Sequence, residues 1–320
     1  MNVTAAEFDG ELVVHERHTA ADGVVALRLS AKDGRQLPPW DPGAHIDVVL
    51  TNGLVRQYSL CGDPGDGTSW RVGVLRDPNT RGGSALIHDE FVVGCTVRVR
   101  GPRNHFHLEP SKKYIFVAGG IGITPILPML TAAENAGADW TLLYGGRSCR
   151  SMAFLDELSG YDDRVRVRPF DQYGLLDLKS VLSRPDSDTL VYCCGPEPLL
   201  DAVAAACSNW PDGSLRVERF SATTPPTPAV GDRPIHVHLR RSEVSVVVPE
   251  DCTILQAVTA AGADVLSSCE DGVCGTCMTT VLDGVPEHRD SVLSEGERRA
   301  GSCMLICVSR AQGDHLVLDL

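Results

Sequence analysis

The chain has 320 residues, a formal net charge of −13 at pH 7 and twelve cysteines. This length predicts two or three domains, and the acidic balance argues against a nucleic acid as a partner. The N-terminal stretch MNVTAAEFDGELVV lacks the basic and apolar regions of a secretory signal, and no apolar run is long enough to span a bilayer. We therefore expect a monomeric, cytoplasmic protein with no membrane span and no disulfide framework.

Residues 1–108 contain many short apolar or alternating runs, separated by Gly, Pro, Asp and Asn: LVV, VVALRLS, HIDVVL, VRQYSL, WRVGVLR and TVRVR. Short alternating strands with frequent turn residues are typical of an antiparallel barrel or sandwich. We expect this segment to form the N-terminal antiparallel β-barrel of a multidomain chain.

Two motifs in this first segment can hold a flat, phosphorylated ligand. In RQYSL, Arg56 offers a planar guanidinium for a phosphate, Tyr58 a ring and a hydroxyl, and Ser59 a short donor for a flavin ring atom. In RGGS, residues 81–84, the glycines and the serine open a short helix whose amides can bind a terminal phosphate. Taken alone, each residue is more often a surface arginine, a core tyrosine or an ordinary turn, and only the combination favours a ligand site.

Residues 109–222 alternate between strand-like and helix-like stretches. YIFVA, WTLLY, RVRVR, TLVYC and LRVER predict strands, and PILPMLTAAENAG, AFLDEL, LLDLKSVL and EPLLDAVAAAC predict helices. Alternation of this kind predicts a doubly wound parallel α/β sheet.

The stretch AGGIGITPIL lies between the predicted strand YIFVA and a helix, which is the position of a nucleotide-binding turn. It departs from G-x-G-x-x-G because Pro125 takes the place of the third glycine. Gly119, Gly120 and Gly122 allow a tight turn and a close approach to a phosphate, and we expect Thr124 to cap the helix.

A second nucleotide signal is TLVYCCGPEPLL, where CGP follows another predicted strand at the sheet edge that binds ligands in open α/β sheets. Cys194 is small and polarisable and can contact a nicotinamide. Core filling is the alternative for Cys194, and it is what we expect for Cys61, Cys95 and Cys207.

The stretch SATTPPTPAVGDRP, residues 221–234, is rich in Pro, Ser and Thr without an apolar period, and it predicts an extended linker over residues 223–234. Residues 235–320 follow with a predicted hairpin (IHVHLRR and EVSVVVPE), a helix (TILQAVTAAG) and the strands MTTVLDG and HLVLDL, an α+β pattern. This last segment carries 6 Lys and Arg against 13 Asp and Glu, an acidic excess that can steer it to a basic partner.

Cysteines in this last segment have metal-ligand spacing. Cys269, Cys274 and Cys277 follow C-x4-C-x2-C, the plant-type [2Fe–2S] pattern, and a later cysteine must supply the fourth thiolate. Zinc is the alternative, but structural zinc sites usually show two paired halves, and the sequence has one C-x2-C pair within the C-x4-C-x2-C run. Cys307, after the apolar run MLI, is favoured over Cys303 as the fourth ligand.

The motifs RQYSL, RGGS, GGIGITP, CCGP, CEDGVCGTC and CVSRA occur in the order found in the phthalate dioxygenase reductase family, which the whole chain resembles. The resemblance implies a flavin-binding barrel (1–108), an NAD(P)H-binding α/β domain (109–222) and, after the linker, a β-grasp plant-type ferredoxin domain (235–320). A core position explains Phe220 as well as packing near the flavin does. The site residues that the resemblance implies are Arg56, Tyr58, Ser59, Gly82, Gly83 and Ser84 for the flavin, Phe220 near its ring, Gly120, Thr124, Cys194 and Gly195 for the nicotinamide, and Cys269, Cys274, Cys277 and Cys307 for the cluster, with Ser59 and Cys194 as the catalytic pair.

The resemblance also implies an activity. A nicotinamide gives two electrons as hydride, a [2Fe–2S] cluster takes one at a time, and a flavin can do both. Because the sequence has no Rieske C-x-H pair, we expect an NAD(P)H-dependent reductase component that serves a separate oxygenase, either a Rieske or a haem-thiolate enzyme. The alternatives are an iron–sulfur redox sensor and a flavin reductase acting on small molecules.

Two cofactor choices stay open in the sequence. The resemblance favours FMN, since FAD would need an aromatic platform for its adenine and only Trp70 lies near LCGDPGDG. NADPH would suit Arg147, Ser148 and Arg150, which can surround a 2′-phosphate. NADH would suit Asp171, whose carboxylate can hold a ribose hydroxyl.

Overall fold

The computed structural model describes residues 7–77, 82–220, 232–293 and 295–320, and it divides into two units, Met1–Glu218 and Arg219–Leu320. Arg81 and most of the expected linker, residues 223–231, lie outside the described residues. Within the described ranges, no helix combines the length and apolar character that a membrane crossing requires.

The first unit begins with a six-stranded antiparallel sheet in the order β4-β3-β6-β1-β2-β5. A bridge between Leu60 and Val72 joins the two outer strands and closes the sheet into a barrel. Its core is apolar and includes fully buried Leu12, Ile46 and Trp70. The elements are β1 (Phe8–Ala21), β2 (Val24–Ser30), β3 (Ala44–Val49), β4 (Val55–Ser59), β5 (Ser69–Leu75), α1 (Gly83–Glu90) and β6 (Thr96–Asn104).

A five-stranded parallel sheet follows in the order β11-β10-β7-β8-β9. The chain runs outward from β7 to β9 and then returns to place β10 on the other side of β7, so the switch point lies between β7 and β10. The elements are β7 (Lys113–Gly119), α2 (Ile123–Asn135), β8 (Asp139–Gly146), α3 (Leu155–Leu158), β9 (Val165–Pro169), α4 (Phe170–Tyr173), α5 (Lys179–Leu182), β10 (Thr189–Cys194), α6 (Glu197–Ala206) and β11 (Leu215–Glu218).

The helix expected over LLDLKSVL is shorter than its apolar pattern indicates, since α5 covers only Lys179–Leu182. Asp177 ends the preceding stretch because its side chain and its carbonyl both accept hydrogen bonds from Ser180. Leu176 packs instead against the backbone of Gly145, where a Cβ would lie 2.9 Å from the leucine methyls.

Besides the barrel core, one hydrophobic cluster contains residues of both the barrel and the α/β part. Val24, Ala26 and Cys61 of the barrel pack in the same buried cluster as Ile123 and Phe154 of the α/β part. Burial of these side chains stabilises the two parts against each other, so they behave as one unit.

The second unit is an α+β fold around a mixed sheet in the order β13-β12-β18-β14-β16, in which β12 and β18 are parallel. Thr253 begins α7 with a capping box, because its hydroxyl accepts from the Gln256 amide and the Gln256 side chain accepts from the Thr253 amide. The multidomain fold expected from the sequence is confirmed. The elements are β12 (Ile235–Leu239), β13 (Val244–Val248), α7 (Ile254–Ala260), β14 (Met278–Asp283), β15 (Pro286–Glu287), α8 (Glu295–Ala300), β16 (Cys303–Leu305), β17 (Arg310–Ala311) and β18 (His315–Leu318).

Candidate functional site

The RQYSL and RGGS motifs lie side by side on the barrel. Arg56 extends from β4 over the start of α1, and a Cβ on Gly83 would be only 2.7 Å from its Nε. Gly82, the N-cap of α1, has a left-handed φ of 87° and no side chain that could cap the helix. A guanidinium beside the start of an eight-residue helix forms a cradle that fits a phosphate group.

Two further residues support this cradle. The hydroxyl of Ser84 accepts a hydrogen bond from the Asp77 amide (3.1 Å), which ties the preceding strand end to α1. Tyr58 is half-buried on β4, and burial raises the pKa of its phenol, so the ring stays neutral.

The glycines of GGIGITP and CCGP meet at the switch point of the parallel sheet. A Cβ on Gly122 would lie 2.2 Å from the carbonyl oxygen of Cys194, and one on Gly195 would lie 3.0 Å from Gly119. Gly120 has a left-handed φ of 55°. The carboxyl ends of β7 and β10 therefore approach each other backbone to backbone, which leaves an edge where a nucleotide can bind.

Thr124 does not cap α2, in contrast to the expectation from the sequence. The helix begins one residue earlier, at Ile123, because a 3-10 turn over Gly120–Gly122 leads directly into it. The hydroxyl of Thr124 donates instead to the carbonyl of Ile121 at 2.9 Å. Thr124 is buried and its methyl faces Gly73 of the barrel.

Glu218 brings the two expected catalytic residues together. The hydroxyl of Ser59 donates to Glu218 Oε2 at 3.4 Å, and the Cys194 thiol lies 3.8 Å from the same oxygen. Ser59 comes from the barrel, whereas Cys194 and Glu218 end the adjacent parallel strands β10 and β11. The sequence analysis missed Glu218, which alternates with apolar residues in LRVER as a solvent-facing strand residue would.

The electrostatics of this cluster favour neutral groups. Desolvation raises the pKa of Glu218 to about 8, although the bonds from Ser59 and Cys194 act in the opposite direction. Burial, with the nearby carboxylate as a smaller cause, raises the pKa of the Cys194 thiol. At neutral pH, Cys194 is therefore a thiol and Glu218 is mostly a protonated acid that can donate as well as accept.

The candidates for coenzyme choice lie at the ends of β8 and β9. The Asp171 amide donates to the carbonyl of Arg147 (3.2 Å), so these two residues are neighbours. Ser148 is engaged in a capping box with Ser151, and Arg150 forms an ion pair with Asp22 at 3.0 Å. Two of the three groups expected to hold a 2′-phosphate therefore have partners within the protein.

Exposed aromatic side chains flank Asp171 at this edge. Phe170 and Tyr173 are 56 % and 57 % exposed, and the guanidinium of Arg168 lies 4.7 Å from the ring centroid of Tyr173. Exposed rings at the ligand-binding edge of the sheet can stack on a base, and the sequence analysis missed both.

Two expected aromatic contacts have different outcomes. Trp70 is fully buried in the barrel core and packs edge-on against Phe8, so it offers no adenine platform. Phe220 follows Glu218 by two residues, is 44 % exposed and belongs to the second unit. Its expected packing near a flavin stays a prediction.

The four cysteines proposed as cluster ligands form two pairs. Cys269 and Cys274 are the main influence on each other's pKa, Cys277 is the main influence on the pKa of Cys307, and Cys269 contributes to the shift of Cys307. Their interaction lowers the pKa of the Cys274 thiol and raises that of the Cys269 thiol. Among the residues that the structure describes, no group of three or more His, Cys, Asp or Glu side chains has the geometry to hold a single metal ion.

Backbone amides further stabilise negative charge on these sulfurs. The amides of Asp271 and Thr276 donate to the sulfurs of Cys269 and Cys274 at 3.3 and 3.4 Å. Cys303 lies on β16. Burial is the main cause that raises the pKa of its thiol, and the nearby Glu297 and Asp290 raise it further. Four neighbouring cysteines, two of whose sulfurs accept hydrogen bonds from backbone amides, fit a binuclear cluster.

Comparisons with known proteins agree with this arrangement. The family model of the 2Fe-2S iron-sulfur cluster binding domain matches residues 237–312. The chain is 44 % identical to the phenoxybenzoate dioxygenase subunit beta of Ectopseudomonas oleovorans, with 100 % of both chains covered.

Two solved structures also resemble it. A phthalate dioxygenase reductase, described as a modular structure for electron transfer from pyridine nucleotides to [2Fe–2S], is 37 % identical, with a TM-score of 0.72 and 98 % of each chain covered. A type IV self-sufficient cytochrome P450 monooxygenase is 47 % identical, with a TM-score of 0.92 over 98 % of this chain. The chain spans 41 % of that monooxygenase.

Proposed function

Since the chain belongs to the phthalate dioxygenase reductase family of iron–sulfur flavoprotein oxidoreductases, we propose that it transfers electrons from NADH through FMN and a [2Fe–2S] cluster to a separate oxygenase component. The observation that carries this proposal is the convergence of Ser59, Cys194 and Glu218, because it joins the barrel to the switch point of the nucleotide sheet. A bound flavin would supply the exchange between hydride and single electrons.

The cradle on the barrel supports FMN as the flavin. Arg56 and the amides at the start of α1 would hold the terminal phosphate, as argued from the contact between Arg56 and Gly83. Trp70 is buried, so it cannot serve as the aromatic platform that an FAD adenine would need. Ser59 would donate to the ring system at the point where β4 ends.

The close approach of the glycines at the switch point supports a nicotinamide site at that edge of the parallel sheet. Gly120, Gly122 and Gly195 would let the dinucleotide approach the sheet edge, and Cys194 would contact the nicotinamide. We favour NADH because Ser148 and Arg150 are engaged within the protein. Asp171, a neighbour of Arg147, would hold a ribose hydroxyl.

For the cluster, Cys269 with Cys274 and Cys277 with Cys307 would each supply two of the four thiolates. The pairing of the thiols supports this division, since each iron of a two-iron, two-sulfide cluster needs two thiolates. The acidic excess of residues 235–320 favours a partner with a basic docking surface. A Rieske oxygenase and a haem-thiolate monooxygenase both fit these requirements.

The proposal is tested by Cys307→Ser, with Cys303→Ser as the matched control four residues away. Loss of a ligand removes one anchor of the cluster, whereas loss of a neighbouring thiol changes only packing. We expect Cys307→Ser to lose iron and NADH-driven cytochrome c reduction but to keep NADH-driven reduction of dichlorophenolindophenol, a two-electron dye. Cys303→Ser should keep all three properties.

The contrary outcomes are specific. Normal iron content and cytochrome c reduction in Cys307→Ser would overturn the ligand assignment. Absence of any NADH-dependent dye reduction by the flavin-loaded wild type would overturn the proposed function itself.

A further inference from the structure

Arg71 joins three segments of the first unit through one guanidinium. Its Nη1 and Nη2 donate to the two carboxylate oxygens of Glu157 at 2.7 and 2.8 Å. Its Nε donates to the carbonyl of Cys61 at 3.1 Å. The Arg71 side chain is only 14 % exposed, so solvent screens these bonds less than it screens a surface pair.

The segments joined by Arg71 carry the proposed catalytic groups. Cys61 follows Ser59 by two residues on the barrel, and its amide in turn donates to the Arg71 carbonyl at 2.8 Å. Glu157 lies in α3 of the α/β part, three residues after Phe154, which is the N-cap of that helix. The guanidinium also lies 5.0 Å from the ring centroid of Phe154, which gives it a cation–π contact on the same side.

Two residues after Arg71, at Gly73, strand β5 contacts helix α2. A Cβ on Gly73 would lie 2.9 Å from the Thr124 methyl and 3.2 Å from the Phe154 ring. Phe154 adopts a left-handed φ of 63°, a conformation that costs energy for a bulky residue and that the surrounding contacts must maintain. At this point the barrel and the α/β part are in van der Waals contact, with Arg71 beside them.

We propose that Arg71 is a positioning residue for hydride transfer, an inference that rests on the proposed function. It ties the barrel segment after Ser59 to the α3 segment beside Thr124, and so fixes the barrel relative to the switch point. The fork of Arg71 on Glu157 sets direction as well as distance, which a lysine ammonium would not. Hydride transfer needs its reacting atoms about 3–3.5 Å apart, and a shift of about 1 Å can cost about a hundredfold in rate.

The test uses Glu157→Gln and Arg71→Lys in the full-length, flavin-loaded protein. Glu157 is 44 % exposed, so its amide variant will fold, and the change removes the charge with little change of shape. The matched control is Arg98→Gln. Arg98 donates to both oxygens of Asp9 at 3.1 and 3.2 Å, but both residues belong to the barrel, on the adjacent strands β6 and β1.

Stopped-flow absorbance gives the limiting rate of flavin reduction at saturating NADH. We expect this rate to fall about tenfold to a hundredfold in both Glu157→Gln and Arg71→Lys, called the clamp variants below. Flavin content and the Kd for NADH should stay unchanged. On the flavin-free protein, amide hydrogen exchange over residues 154–158 should become faster in the variants. Arg98→Gln should match the wild type in every measurement.

Wild-type rates per bound flavin in both clamp variants, or an equal fall in Arg98→Gln, would overturn the positioning role. Loss of flavin with an unchanged rate per bound flavin would also overturn it, since a purely structural role predicts that result. Wild-type protein that NADH fails to reduce would overturn the proposed function instead. Hydrogen exchange on the flavin-free protein then still decides whether Arg71 holds the two parts together.

Discussion

Glu218 determines the charge beside Ser59 and Cys194. Its pKa is raised to about 8, chiefly by desolvation, from an ordinary value of 4.5. Between these two values the folded protein holds a proton that the unfolded chain has lost. Stability from this carboxyl is therefore fully present below about pH 4.5 and is lost as the pH rises through about 8.

The expected effect is a pH slope that Glu218→Gln removes. One proton of difference between the folded and unfolded states changes the free energy of unfolding by at most about 1.4 kcal/mol per pH unit. Urea unfolding of the flavin-free protein between pH 5.5 and 7.5 should show wild type losing stability faster than Glu218→Gln. Asp139→Asn, at the opposite end of the same sheet, is the control and should keep the wild-type slope. Parallel pH profiles for wild type and Glu218→Gln would contradict the role of this carboxyl.

The motifs predicted Ser59 and Cys194, but no local pattern predicts Glu218. Its partners lie 159 and 24 residues away in the chain. An alternating stretch such as LRVER has the same appearance whether its glutamate faces solvent or a second domain. Arg71 is hidden in WRVGVLR for the same reason, because long-range pairing decides its role.

At the scale of elements, the turn before α2 depends on the absence of a side chain at Gly122. The sequence predicted the glycine turn and the helix but placed a cap at Thr124, because Ser and Thr commonly begin helices. The 3-10 turn over Gly120–Gly122 leads directly into α2 instead, so that Gly122 and not Thr124 is the N-cap. What the pattern could not contain is the 2.2 Å between a Cβ on Gly122 and the Cys194 carbonyl, a contact between segments 72 positions apart.

Gly122→Ala should disrupt this turn. The three nearest atoms, the oxygen and carbon of the Cys194 carbonyl and the Gly195 nitrogen, all belong to the backbone and cannot rotate away. We expect a loss of about 1–3 kcal/mol in the free energy of unfolding and about a tenfold rise in KM for NADH, seen in thermal melts and steady-state dye reduction. Gly160→Ala, with no atom within 4 Å of its Cβ, is the control. Equal behaviour of the two variants would contradict the close approach.

At the scale of the whole molecule, the chain divides between Glu218 and Arg219. The cysteine pairs lie in the second unit, and the cluster of Ser59, Cys194 and Glu218 lies in the first. The two chemistries therefore belong to parts of the chain with separate hydrophobic cores.

A truncated form ending after Phe220 should retain half of the activity pathway. We expect it to bind flavin and to reduce dichlorophenolindophenol with NADH, because the first unit keeps its core and its site. It should fail to reduce cytochrome c, since the cysteine ligands are gone. Spectrophotometric assays of both acceptors, with the full chain as control, check this. Equal cytochrome c rates in the two forms would exclude the cysteine-containing unit from the electron path.

The hydrophobic cluster that contains Val24, Ala26 and Cys61 together with Ile123 and Phe154 has a consequence for protein engineering. A chimera joined near residue 108 would divide this cluster between two parents, and its side chains would meet partners selected in another protein. A junction after Glu218 leaves the cluster intact. The cysteine-containing units of related reductases can therefore be exchanged at that junction, whereas the barrel and the α/β part must be kept together from one parent.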